Sequence, residues 1–233
     1  MPARGLGGFE VVLGFCLVAG LVVRLSALWA LLFFVYGLSQ SHYLLGTLES
    51  LAAAILVIFH GPTEPSADSV LDIDPLATIV SPIFDRLYWL TPIVLRLALG
   101  TTLMWLAVTE KFQNPRVSEA VVVDFGLQRW IPVSTAMWVF SVGVIELAVG
   151  LTLVLGFYTR AFSLIALLVL SLSFFYFNEE VAGHVTFFGS LVVLMVTGGG
   201  RWSIDAAIAQ RTRNVVGTAV PYFAQLARTA GER

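Results

Sequence analysis

Apolar runs of roughly 17–25 residues recur along this chain, and each is long enough to cross about 30 Å of hydrocarbon. No other feature narrows the fold so far. In lipid, every backbone N–H and C=O must find a partner inside the protein, so such runs fold as helices packed in a bundle. Composition points the same way. Of 233 residues, 58% are hydrophobic and 12% charged, against about a quarter charged in a soluble domain. That is too little polar surface to wrap a soluble core, so lipid must cover much of the chain. The expected fold class is all-α, an integral membrane helical bundle, with the lipid bilayer as its first partner. A net charge of −2 supplies no basic patch for nucleic-acid phosphates, so nucleic acid is not an expected partner. The single cysteine, Cys16, excludes an internal disulfide, a CxxC redox pair and a cysteine-ligated cluster.

Seven spans are predicted, over about 7–23, 25–38, 43–59, 91–109, 135–158, 161–177 and 181–197. The first has no small-residue cleavage site and is expected to stay as a helix. Residues 61–86 form a loop rich in proline and acid, a natural boundary. The expected domains are therefore a three-helix segment at 1–60, this loop, a four-helix domain at 87–206, and a surface amphipathic tail at 207–233. Counting basic residues near span ends places Arg24, Arg86, Arg160, Arg201, Arg211 and Arg213 on one side. The positive-inside rule then predicts a multi-pass protein of the cell membrane with its N-terminus outside and its C-terminus cytoplasmic.

The two ends of the chain look alike. Phe9-Glu10, Gly14, Gly20 and Arg24 match Ile145-Glu146, Gly150, Gly156 and Arg160 at one constant offset. His42 with Gly46 echoes His184 with Gly189, and Leu71-Asp72-Ile73-Asp74 faintly echoes Ser203-Ile204-Asp205. The expectation is a parallel repeat, three helices plus four, because an even number of spans separates each matched pair.

Ionisable residues at bilayer depth are the candidate site. A carboxylate in hydrocarbon costs several kcal/mol unless it is paired, protonated or facing water. Glu146 sits mid-span with Gly143 and Gly150 one turn to either side, which lets a neighbouring helix approach. It is either a proton-accepting, substrate-facing carboxylate or a structural acid bonded across helices. Glu10, Glu49 and His42 are further polar residues of the N-terminal segment. Arg96 lies one turn into the fourth span, deep enough to pair with Asp205 or Glu146. Arg24 and Arg160, where spans end, read as snorkelling to lipid phosphate. Glu180 and His184 share a helix face, but without a specific ligand spacing no metal is expected. His42 and His184 could clamp a haem only by using two of three histidines, so haem is not expected either.

These residues resemble a known family. Arg96-Leu97-Ala98-Leu99-Gly100 with Glu110-Lys111-Phe112, Ile145-Glu146-Leu147-Ala148-Val149-Gly150, Gly156-Phe157-Tyr158-Thr159-Arg160, Gly183-His184 and Ser203-Ile204-Asp205 are similar to the DoxX/DoxD pattern. That pattern has an Arg and Gly in the first helix, a Lys near its end, an acid and Gly in the second, a Gly-x-x-x-Arg turn, and a Gly-rich turn before Ser-x-Asp. The resemblance spans roughly 87–206 and implies a four-helix membrane protein. The first 60 residues look like a partial second copy. The resemblance further implies a membrane subunit of a quinone-linked oxidoreductase, such as the small subunit of a thiosulfate:quinone oxidoreductase. Its partners would be other membrane or redox subunits, and its cofactor a quinone. The implied functional positions are Glu146 and Arg96 as catalytic residues, and Arg96, Lys111, Arg160, His184 and Asp205 as quinone-binding ones. Two other functions fit the residues alone. One is a scaffold subunit without chemistry of its own. The other is a transporter of small molecules or lipid, which needs a polar cavity reaching mid-depth.

Overall fold

A computed structural model describes residues 2–74, 76–177 and 184–214, save for some side chains within helices, Glu10 and Asp85 among them. Every regular element described is helical: α1 (Pro2–Ala19), α2 (Val23–Gln40), α3 (Leu48–His60), α4 (Ala67–Leu71), α5 (Ala77–Leu87), α6 (Thr91–Leu106), α7 (Arg116–Asp124), α8 (Thr135–Leu155), α9 (Thr159–Phe177) and α10 (Val185–Thr197). Residues 204–214 are helical as well.

Five helical stretches are long and apolar enough to span a bilayer: Val23–Gln40, His42–His60, Tyr88–Gln113, Thr135–Leu155 and Thr159–Phe177. The shorter α10 is apolar too. The expectation of an all-α membrane bundle therefore stands. The sequence had seven spans; α1, its first, is not among these five. The second span, short on paper, is 18 residues long. The loop at 61–86 is not featureless: it carries α4 and α5, with Pro82 inside the latter. The segment between the fourth and fifth spans carries α7. Glu179, Glu180, Gly183, the tail beyond 214 and the Glu10 side chain lie outside the described residues.

α6 is the hub and packs against α3, α8 and α10. The core lies around it, built from Ala52, Leu95, Leu99, Leu103, Leu153, Ala166, Phe187, Leu191 and Leu194. Helices in lipid gain little from hydrophobic burial against one another, so close backbone approach has to supply the attraction. The α6–α8 crossing shows this. A Cβ on Gly100 would lie 2.6 Å from the Gly150 carbonyl oxygen, and one on Gly150 would lie 2.7 Å from the Gly100 oxygen. Any larger side chain at either position drives the two helices apart.

Contacts fix which helix ends lie together. The Arg24 Nε, at the start of α2, donates to the Ile58 carbonyl near the end of α3. Arg96, near the start of α6, donates to the Val154 carbonyl at the end of α8. One end of the bundle thus gathers the starts of α2 and α6 with the ends of α3 and α8. The opposite end holds the close of α6 and the start of α8.

Candidate functional site

The helix breaks at Gly20 and Gly156 set up the first end. Both glycines are left-handed, with φ of 66° each, as a helix C-terminus favours. The chain then passes through a second left-handed residue, Val22 at φ 49° and Tyr158 at φ 46°. Non-glycine residues there are strained by about 1–3 kcal/mol and persist only when held. A carboxylate does the holding. Asp205 accepts from the Tyr158 N–H at 2.7 Å and the Thr159 N–H at 2.9 Å, and from the Thr159 hydroxyl at 2.9 Å. Asp68 accepts from the Val22 and Val23 N–H groups at 2.6 and 2.7 Å. Each aspartate also donates its own N–H, Asp205 to the Gly156 carbonyl and Asp68 to the Gly20 carbonyl. An anion at a helix start is favoured by the exposed N–H groups and by the helix dipole.

The N-terminal counterpart of Asp205 is therefore Asp68, within Ser66-Ala67-Asp68. The expected echo of Ser203-Ile204-Asp205 at Leu71-Asp72-Ile73-Asp74 is corrected to these residues. The geometry supports this register through the serines as well. A Cβ on Gly20 would lie 2.5 Å from Ser66 Cβ, and one on Gly156 would lie 2.5 Å from Ser203 Cβ. Asp68 was missed because its work is done on backbone N–H groups, which leave no side-chain signature. The serine two residues before each aspartate was the available signal.

Arg96 is buried at 4% exposure and lies over the Gly156 turn. Its guanidinium donates to the Val154 carbonyl at 2.9 Å and to the Trp202 carbonyl. A Cβ on Gly156 would collide with it. Asp205 is the carboxylate whose charge acts on Arg96, but both its oxygens are already committed to the α9 start. Arg96 and Asp205 thus join the end of α8, the start of α9 and the loop after α10. Arg160 is close by and exposed, lining a cleft with Asp205.

The second end holds Lys111 and Glu146. After α6 the helix widens into a π-helical turn, Ala107–Gln113. Single π turns inside α-helices commonly mark functional positions. The turn brings Lys111 against α8: a Cβ on Gly143 would lie 2.8 Å from Lys111 Cβ. Glu146 is one turn further along α8, and the charges of Lys111 and Glu110 act on it. The Lys111 Nζ is 3.4 Å from Glu110 Oε2 and 3.2 Å from Ser118 Oγ, both long. Glu146 Oε2 is buried and has no hydrogen-bond partner.

A third polar group sits in the core. Glu49, 4% exposed, accepts at 2.9 Å from the Thr102 hydroxyl, which is fully buried. Ser50 and Thr186 share a hydrogen bond at 2.9 Å beside it, tying α3 to α10. His184 stands exposed at the head of α10, and its charge acts on Glu49. The six residues singled out from sequence therefore fall in three places: Arg96, Arg160 and Asp205 at one end, Lys111 and Glu146 at the other, and His184 near Glu49.

Comparison with known proteins adds one finding. Residues 91–179 match the DoxX family model. No curated protein and no solved structure matches the chain. The match takes in α6 to α9 with Arg96, Lys111, Glu146 and Arg160, and stops short of His184 and Asp205.

Proposed function

We propose, from the premise that residues 91–179 form a DoxX family domain, that this membrane protein is a subunit of a quinone-linked oxidoreductase complex. Its quinone-facing pair is Glu146 and Lys111. The observation that carries the reading is the buried, unpartnered Oε2 of Glu146. Leaving such an acceptor unmade costs about 1–3 kcal/mol or more. Among the described residues Thr91 Oγ1, Arg96 Nε and Ser163 Oγ are also buried without a partner, but only Glu146 is a carboxyl facing a lysine, so a proton donor on a ligand suits it. A quinol hydroxyl is such a donor, and the residues present fit the group.

A bound quinone would supply two-electron, two-proton redox chemistry, one proton at each ring oxygen, with the electrons exchanged with a redox centre in a partner chain. Glu146 Oε2 would hold one of those oxygens and its proton. Lys111, turned from its long contacts with Glu110 and Ser118, would hold the other. In this reading Arg96, expected to be catalytic and quinone-binding, and Asp205, expected to be quinone-binding, hold the main chain that positions α8 and α9. The location that goes with this reading is the cell membrane, with the arginine-rich end cytoplasmic and the Lys111 end outside.

A second reading, an accessory subunit that only packs against catalytic chains, is favoured by the commitment of Arg96 and Asp205 to backbone groups. A transport path has less support, because Leu99, Leu191 and Leu194 at the centre of the bundle are each 0% exposed. Purification in mild detergent, with extraction of bound quinone and identification of every co-purifying chain, separates the readings. Quinone together with a redox partner supports the first; a redox partner without quinone supports the second and overturns the first.

A further inference from the structure

We propose that the cleft between the α8–α9 turn and the loop after α10 is a phosphate site, formed by Arg160, Arg201 and Arg213. It takes the phosphate of an anionic lipid headgroup or a free phosphate ion. The cleft has a volume of about 690 Å³ and is lined by those three arginines against one carboxylate, Asp205. Both Asp205 oxygens already accept hydrogen bonds from the start of α9. Arg160 is exposed, and among the described residues it has no hydrogen bond and no ion pair. Gly198 closes over it, with room for a Cβ only 3.3 Å from the Arg160 Nε. Arg201 lies over the Trp89 ring at 5.8 Å.

The other turn says what is missing. Arg24 follows Gly20 as Arg160 follows Gly156, and it sits in the same aspartate-clamped turn. There the guanidinium is buried and satisfied from within the chain. Asp74 pairs with it at 2.7 Å, Ser81 accepts at 3.2 Å and the Ile58 carbonyl accepts at 2.9 Å. In the register that pairs Ser66 with Ser203 and Asp68 with Asp205, the residue opposite Asp74 is Arg211. An acid has become a base. Among the described residues no acid takes the place beside Arg160 that Asp74 takes beside Arg24, which leaves room for an anion from outside the chain. Arginine forks suit phosphate oxygens, which they bind in pairs. The depth suits a phosphate too: Tyr158 and Trp202 stand 62% and 69% exposed at this end, as aromatic side chains do at headgroup level.

The test uses the full chain in mild detergent and native mass spectrometry, with phosphatidylglycerol, inorganic phosphate and phosphate-free diacylglycerol as probes. Arg160→Gln with Arg213→Gln is expected to weaken phosphatidylglycerol or phosphate binding by about ten-fold or more, and diacylglycerol binding not at all. Arg116→Gln, at the opposite end of the bundle, should change neither. Displacement of the lipid by inorganic phosphate identifies a free ion as the occupant; resistance to displacement identifies the headgroup. Should the double glutamine variant fail to fold, Arg160→Lys with Arg213→Lys keeps the charge and loses the fork, and several-fold weaker binding is expected. The proposal is overturned if the wild type binds neither phosphate probe, or if the folded variants bind both as the wild type does.

Discussion

The charged residues at the two ends of the α6 segment are used in opposite ways. At the start, Arg96 is closed in. Its guanidinium is buried, it meets the carbonyls of Val154 and Trp202, and it seals the turn that Asp205 clamps. At the close, Lys111 makes only long contacts, and the carboxylate it faces keeps one buried oxygen without a partner. A buried charge whose two terminal nitrogens are held by main-chain carbonyls, with only Nε left without a partner, is a fastening. A buried acceptor with no donor is an opening for a ligand. Sequence position alone, one ionised group per helix end, does not separate these two uses.

The contrast can be broken most forcefully at the fastened end. Arg96→Met removes two charge-assisted hydrogen bonds, to the Val154 and Trp202 carbonyls, and should destabilise the protein by about 3–5 kcal/mol, read as a fall in unfolding temperature in detergent; a neutral result would remove the fastening role. The two aspartate clamps come next. Asp205→Asn and Asp68→Asn each lose charge-assisted bonds to a helix start and should cost about 2–3 kcal/mol. Equal losses would show that the two turns are equivalent in energy as well as geometry; a loss at one alone would break the likeness. A smaller and sharper comparison sets Arg24→Gln against Arg160→Gln. The first strands Asp74 and should destabilise measurably, while the second, at an exposed site, should stay within about 0.5 kcal/mol. The smallest effect has the opposite sign. Tyr158→Gly relieves a left-handed backbone and should raise stability by about 1 kcal/mol or less, visible in the same thermal assay.

Much of the architecture was legible. Long apolar runs gave the helices because lipid leaves the backbone no other way to satisfy itself. The matched Gly20 and Gly156, each followed by Arg24 and Arg160, marked two turns that proved alike in backbone angles and hydrogen bonds. Further along the chain, the match slips by one residue. Gly61 and Gly198 both end a 13-residue helix, and Ser66 and Ser203 follow in step, but this register is shifted by one residue from that of the glycine turns. The shift hid Asp68 and drew attention to Asp72 and Asp74. Asp74 has a different task, neutralising Arg24. The pairing of Glu49 with Thr102 was hidden as well, since a threonine in an apolar run reads as filler until a carboxylate is seen against it. The π-helical turn at Lys111 left no trace in the sequence, because widening one turn changes side-chain direction and leaves composition untouched.

The account stands or falls on Glu146. Isothermal titration of a water-soluble quinol into the wild type and Glu146→Gln, both in detergent, tests it most directly. The substitution keeps the shape of the side chain and removes the group that can take up a proton, so the account predicts binding about ten-fold weaker or worse with the unfolding temperature unchanged or slightly raised. Equal affinity in the two proteins, or a carboxamide variant that loses stability and keeps its quinol, would contradict it.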